Sequence, residues 1–317
     1  MTDTPPRIVC LGEPLVEFNE LRAEDLPDGA GAGLFRRGFG GDTSNCAIAA
    51  ARFGARVGYV TAVGTDSFGD DLMALWRREG VDVTGVRRDA DAPTGIYFVS
   101  LGPDGHRFTY RRAGSAASRL RPAHVPHALI GGASILHVSA ISQAIGEGPC
   151  DAVFHAIDIA HGAGVTVAYD TNLRLGLWPL DRARAIIRAT AARADILLPG
   201  LDDARQLTGL EEVDAILDAF LALGPRLVAL SLGGDGLALA TRGERWRLPG
   251  HAVDFVDATG AGDAFDGAFL AELDAGATPL DAARLANAAA ALSTTGRGAV
   301  DPLVGREAAA ALLSSDA

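Results

Sequence analysis

An aspartate set directly behind a run of small residues is the arrangement in this chain with the clearest chemical use. Residues 257–269 read Asp-Ala-Thr-Gly-Ala-Gly-Asp-Ala-Phe-Asp-Gly-Ala-Phe. Gly260, Ala261 and Gly262 carry almost no side chain, and Ala264, Phe265, Ala268 and Phe269 follow at helical spacing. A small-residue loop that opens a helix aims free backbone N–H groups and the positive end of the dipole at one spot, and that spot suits a phosphate. Asp263 then stands in the first turn, beside the anion. Like charges repel, so a carboxylate there is poorly suited to holding phosphate. It is suited to taking a proton from a hydroxyl that attacks the phosphate. The plainer reading is a glycine-rich turn with Asp263 as a helix-start residue.

A second glycine string opens the first long helix: Arg37-Gly-Phe-Gly-Gly41-Asp-Thr-Ser-Asn45. Gly40 and Gly41 let the backbone approach a ligand, Asp42 can cap the helix, and Asn45 lies one turn in.

The rest of the composition narrows the chemistry. The chain has 317 residues, 48% of them hydrophobic, enough for a sizeable core. Its net charge is −12, which does not favour a nucleic-acid partner. All 28 basic residues are arginine. Without a lysine, neither a Walker-type P-loop nor a lysine Schiff base can be built. Phosphate handling must come from backbone amides, arginine and Mg²⁺. No apolar run reaches the ~18 residues of a membrane span, and the first residues have no signal-peptide character. The three cysteines, Cys10, Cys46 and Cys150, are scattered, and the seven histidines show no ligand-like spacing. This pattern predicts a reducing, cytoplasmic setting, core packing for the thiols, and neither a disulfide framework nor a zinc site.

Short β-type runs alternate with longer helical patterns. Strands are expected at 8–11, 57–63, 135–138, 165–169, 196–198 and 227–232. Helices are expected at 42–53, 68–79, 151–161, 181–193, 213–223, 261–274 and 280–294, the last closing the chain. The alternation predicts an α/β fold, a mostly parallel sheet between helices, with ligands at the carboxyl ends of the strands. Two regions break the rhythm: 13–37 and 94–112 are β-like and contain turns, with Ile96, Phe98, Phe108 and Tyr110 at period two and a Gly102–Gly105 turn. They predict a small inserted sheet that covers a site and excludes water. An edge extension or a dimer contact is the plainer reading of the same strands. No linker or repeat divides the chain, so 1–317 is expected to form one domain carrying that sheet as a β lid.

Taken together and in order, the two glycine strings resemble the signatures of the ribokinase/PfkB family of sugar and nucleoside kinases. The resemblance runs over essentially the whole chain. It includes the Ser231-Leu-Gly-Gly-Asp-Gly236 loop and Asn287. Within the family, several segments are similar to 2-keto-3-deoxygluconate kinases: Leu11–Phe18, Arg37–Thr43, Val63–Phe68, Arg107–Ala116, and Asp170-Thr-Asn172-Leu-Arg174 followed by Trp178. The resemblance implies a ribokinase-like fold with a β lid that often serves in homo-oligomer contact. It implies transfer of the γ-phosphate of ATP to a sugar hydroxyl, with Mg²⁺ and in some members a monovalent cation.

By the same resemblance Asp263 matches the catalytic base, and the backbone of Gly260, Ala261 and Gly262 matches the anion hole. Gly41 and Asn45 match sugar contacts. Asn172, Ser231, Gly233, Gly236 and Asn287 match the ATP side. Tyr97, Tyr110, Arg112 and Arg174 match residues around the acid end of a keto-acid substrate. Arginine suits that role, because an acidic protein needs local cations for a carboxylate; the plainer reading of Arg111 and Arg112 is a charged edge that prevents strand pairing. The chain departs from the family at Gly200-Leu-Asp202-Asp203, where many members have an NxxE motif. Asp203 stands in for the Glu and would reach Mg²⁺ through water. Glu17 stands where neutral-sugar kinases often have a shorter Asp. A fructokinase, another hexose kinase, or a non-catalytic sugar- or nucleotide-binding regulator remain as alternatives.

Overall fold

The first strand shows how the molecule is layered. In a strand, successive side chains point to opposite faces. Ile8 and Cys10 enter one apolar cluster, while Val9 and Leu11 enter another, and all four are buried. A strand with both faces covered reads as a continuous apolar run, which is the signature of a parallel sheet between helical layers. The computed structural model describes residues 6–21, 33–102 and 105–315. The 22–32 part of the expected lid and the tip of the Gly102–Gly105 turn therefore lie outside the described residues.

Among the described residues the strands are β1 Ile8–Leu11, β2 Leu15–Glu20, β3 Phe35–Gly40, β4 Val57–Gly64, β5 Val86–Asp89, β6 Ile96–Gly102 and β7 Gly105–Arg111. After these come β8 Ile135–Ser139, β9 Thr166–Asp170, β10 Ile196–Leu198, β11 Leu227–Ser231, β12 Leu237–Thr241 and β13 Arg245–Leu248. They form a nine-stranded sheet, β13-β12-β11-β10-β9-β8-β1-β4-β5, and a four-stranded sheet, β3-β2-β6-β7. The large sheet is parallel from β5 to β11 and antiparallel only at β12 and β13. The fold is ribokinase-like.

Helices Asp42–Arg52, Ser67–Arg78, Ala261–Asp274 and Pro279–Ser293 cover one face, and Glu147–Ala163, Leu180–Ala191 and Val213–Leu221 the other. Asp42–Arg52 and Ala261–Asp274 approach closely because small residues meet between them. A Cβ on Gly267 would lie 2.4 Å from the Cys46 carbonyl oxygen and 2.6 Å from the Ala49 Cβ. This contact brings the two glycine strings, far apart in sequence, to one place.

In the small sheet, β2 pairs antiparallel with β3 and parallel with β6, and β6 pairs antiparallel with β7. One face carries Leu15, Tyr97 and Val99, buried together. The other joins the body through Phe18, which stacks on Phe98 at 5.2 Å and meets Phe68 edge-on at 5.8 Å. Several elements were not expected, among them helix Leu201–Thr208 and the short helices His127–Gly131 and Ala140–Ala144. Strands β5 and β13 are too short and too polar for a clear alternation, as Val86-Arg-Arg-Asp89 shows, and β12, Leu237-Ala-Leu-Ala-Thr241, is an apolar run absent from the expected strands. Helix Arg306–Ser315, not the helix before it, closes the described chain. Its alanine-rich stretch gives little amphipathic contrast.

Candidate active site

A cleft of about 740 Å³ lies where the carboxyl ends of the central strands, the two glycine strings and the small sheet meet. Its floor comes from the helix pair. Gly260 precedes helix Ala261–Asp274 with φ of 79°, a left-handed conformation that favours glycine. The N–H of Ala261 is spent on the Ala258 carbonyl at 3.1 Å. This corrects the expectation that all three small residues donate alike. The next two amides, of Gly262 and Asp263, belong to the first turn, where helix geometry leaves N–H groups without an intrahelical acceptor. A Cβ on Gly262 would meet nothing within 4 Å, so that residue faces open space in the cleft wall.

Asp263 is 8% exposed and accepts a hydrogen bond from Asn45 Nδ2 at 2.7 Å. Burial, then the charges of Asp42 and Asp266, push its carboxyl up to about 8, against the Asn45 hydrogen bond and the Arg174 charge. A carboxylate poised there can accept a proton near neutral pH. Gly41 has φ of 103°, and a Cβ would come within 2.2 Å of the Glu13 carbonyl oxygen. Its role is to let this backbone pass, so that Asp42 and Asn45 face the cleft.

The small sheet supplies the wall. Tyr97 and Tyr110 are cross-strand partners, stacked at 5.5 Å, and the Arg112 guanidinium lies 5.0 Å over the Tyr110 ring. All three line the cleft. Their polar ends are less free than the sequence suggests. The Tyr97 hydroxyl donates to Glu17, whose carboxylate also accepts from Asn19. Arg112 forms a short ion pair with Glu13, a fully buried carboxylate. Burial pushes the Glu13 carboxyl up and Arg112 holds it down. Glu17 does not itself line the cleft and acts on it through Tyr97.

Several buried polar atoms of cleft residues lack any partner: Asn45 Oδ1, Glu13 Oε1, Asp42 Oδ2 and Arg112 Nε. Buried polar groups are ordinarily satisfied, so this set marks where a hydroxyl-rich ligand would bind. Asn172, Arg174, Asp203 and Ser231 line the same cleft. Asp203 accepts the Leu173 amide at 2.8 Å, and burial raises its carboxyl. Gly233, Gly236 and Asn287 lie beyond this lining. Gly236 and Asn287 pack against the same segment: a Cβ on Gly236 would strike the Leu248 carbonyl at 2.2 Å, and Asn287 Nδ2, from helix Pro279–Ser293, donates to the Pro249 carbonyl at 2.8 Å. Asn287 thus tethers the segment that the Ser231–Gly236 turn rests on.

Sequence reasoning passed over Glu13, Asp42 and Asp170 as site residues, though all three line the cleft. Burial, then the charges of Asp266 and Asp42, hold the Asp170 carboxyl well above the usual range. A signal was available: Glu13 and Asp170 stand at or just past the carboxyl ends of β1 and β9, where open α/β sheets bind ligands.

Comparison with known proteins agrees with this geometry. The chain is 36% identical over 286 residues to 2-dehydro-3-deoxygluconokinase of Bacillus subtilis strain 168, covering 89% of this chain and 88% of the relative. It is equally, 36%, identical over 307 residues to fructokinase-1 of Oryza sativa subsp. japonica, covering 92% and 94%. The crystal structure of fructokinase from Vibrio cholerae O395, in a fructose-, ADP- and calcium-bound form, superposes with a TM-score of 0.86 at 30% identity, over 98% of this chain and all of that one. A family model described as pfkB family carbohydrate kinase matches residues 5–304. The chain belongs to the PfkB family of carbohydrate kinases.

Proposed function

We propose that this PfkB sugar kinase phosphorylates 2-keto-3-deoxygluconate at the expense of ATP, giving 2-keto-3-deoxy-6-phosphogluconate. The observation that carries the reading is the Asn45–Asp263 pair standing against first-turn amides at one end of the cleft, with Arg112 and Arg174 on its walls. In this reading the sugar hydroxyl, O6 of the open chain, rests beside Asp263. That carboxylate takes the proton as the oxygen attacks the γ-phosphate. The amides of Gly262 and Asp263 face the charge that develops on the transferred group. Arg174, whose charge already acts on Asp263, stands on the same side.

Mg²⁺ supplies neutralisation of the ATP phosphates. Asp203 would hold it through water, and its cleft-facing, partly satisfied carboxylate fits that use. Arg112 and the Tyr110 ring would receive the sugar's carboxylate. The aromatic face of the small sheet, with Phe108 and Tyr110 exposed, supports closure over the cleft and contact with a second copy of the chain. We read residues 1–317 as one kinase unit that works in the cytoplasm.

A second reading has its own observation. The Arg112 charge is already matched by Glu13, which suits a neutral hexose such as fructose. Coupled ADP release on 2-keto-3-deoxygluconate, fructose and ribose separates the two. Our reading expects the keto acid to have the highest kcat/KM; a higher value for fructose would overturn it.

A further inference from the structure

Directly beneath the reacting carboxylate the fold gathers side chains that the kinase reaction does not use. Cys10 on β1, Cys46 on helix Asp42–Arg52 and His137 on β8 place their ligand atoms within 4.8 Å of one another. Their exposures are 0%, 0% and 1%. Cys10 and His137 are register partners on adjacent parallel strands. Cys46 comes to them because its helix packs directly on β1 and β8. Helix Ala261–Asp274 delivers Asp266, with an oxygen 3.5 Å from His137 Nε2.

Neither ring nitrogen of His137 has a hydrogen-bond partner. Its polar neighbours are the Asp266 carboxylate, which pairs with Nε2, and the two thiols. At 3.5 Å the Asp266 contact is longer than the 2.7–3.2 Å of an ordinary hydrogen bond. A carboxylate there is placed to hold and orient the ring rather than to share its ion; the edges of a coordination tetrahedron are about 3.4 Å for metal–ligand bonds of about 2.0–2.2 Å. Zn–S bonds of about 2.3 Å put the corresponding S···S edge near 3.8 Å. The three-residue cluster therefore needs to contract by about 1 Å or less to reach it. Two thiols and an imidazole, with a carboxylate behind the ring, are a donor set for zinc and softer than a magnesium site.

We propose that Cys10, Cys46 and His137, with Asp266 orienting the imidazole from behind, form a buried structural site for a thiophilic divalent cation of the zinc kind. Binding replaces one proton on each thiol with a metal–sulfur bond, and His137 coordinates as the neutral imidazole. The ion would tie together β1, β8 and helix Asp42–Arg52, and would reach helix Ala261–Asp274 through the His137–Asp266 contact. Those helices carry Asn45, next to Cys46, and Asp263, one turn before Asp266. It would hold the Asn45–Asp263 hydrogen bond from below. Spacing could not reveal such a site, because each ligand comes from a different element and no two are near in sequence.

The test uses the full chain, expressed in zinc-supplemented medium and purified without chelator. Elemental analysis should find about one zinc per chain, and the Cys46→Ala variant should lose it. Because that variant can fail to fold, the unaltered protein is also refolded with Co²⁺. A thiolate-to-cobalt charge-transfer band with the intense visible bands of tetrahedral cobalt is expected. Absence of the cobalt bands, zinc retained in full by folded Cys46→Ala, or a denatured mass two hydrogens light (a Cys10–Cys46 disulfide) would each overturn the proposal.

Discussion

The helix pair and the small sheet meet at one cleft but are built on different principles. The pair Asp42–Arg52 and Ala261–Asp274 positions Asn45, Gly262 and Asp263 through backbone: positive-φ glycines, a first turn and a near-contact at Gly267. The small sheet positions Tyr97, Tyr110 and Arg112 through side-chain pairs, Glu17 with Tyr97 and Glu13 with Arg112. Backbone devices tolerate little variation, and side-chain pairs can be exchanged one at a time. A kinase whose chemistry sits on the first region and whose choice of sugar sits on the second can change substrate without rebuilding its catalytic centre.

Predictions sharpen this division. Asp263→Asn removes the proposed base and should lower kcat by ~10²–10⁴-fold. ATP affinity should be largely kept on titration, whatever the sugar; near-normal turnover would refute the role. Gly262→Val puts a side chain into open cleft space, so the protein should fold and melt like its parent. Phosphoryl transfer should fall on the order of 10²–10³-fold, as when an oxyanion donor is lost. Full activity would mean that phosphate lies elsewhere.

A smaller effect tests the electrostatics. Asp263 must be ionised to act, and its carboxyl is raised to about 8, so kcat/KM should climb as pH rises through that region. The charge of Asp42 contributes to the rise. Asp42→Asn should therefore move the profile to lower pH on every substrate. A pH–rate profile that does not move, or moves upward, would show that Asp42 does not act on the base.

The same contrast explains what could be read from the sequence. The helix pair was legible because its signal is local: glycines, a carboxylate and a helical pattern within thirteen residues. The strands of the central sheet were legible as short apolar runs, with ends within a residue or two. The small sheet was visible only as β-like stretches, since period two does not say which strand pairs with which. Glu13 was passed over because its meaning depends on Arg112, 99 residues away. Spacing likewise pointed away from a zinc site, and the contact among Cys10, Cys46 and His137 exists only in the folded chain. Ala261 was assigned an amide donor role from its place in the string, but only the turn geometry shows that its N–H is used internally.

The central claim is that the small sheet chooses the sugar while the helix pair performs the transfer. Arg112→Leu alone would leave Glu13 as an unpaired buried charge and destabilise the fold. The informative variant is therefore Glu13→Gln with Arg112→Leu. The measurement is the ratio of kcat/KM for 2-keto-3-deoxygluconate to that for fructose, in the parent and in this variant. Losing a charge-assisted contact to the substrate's carboxylate costs about 2–3 kcal/mol, so the ratio should fall about 30–150-fold, with turnover on fructose little changed. An unchanged ratio, or equal losses on both sugars, would contradict the account.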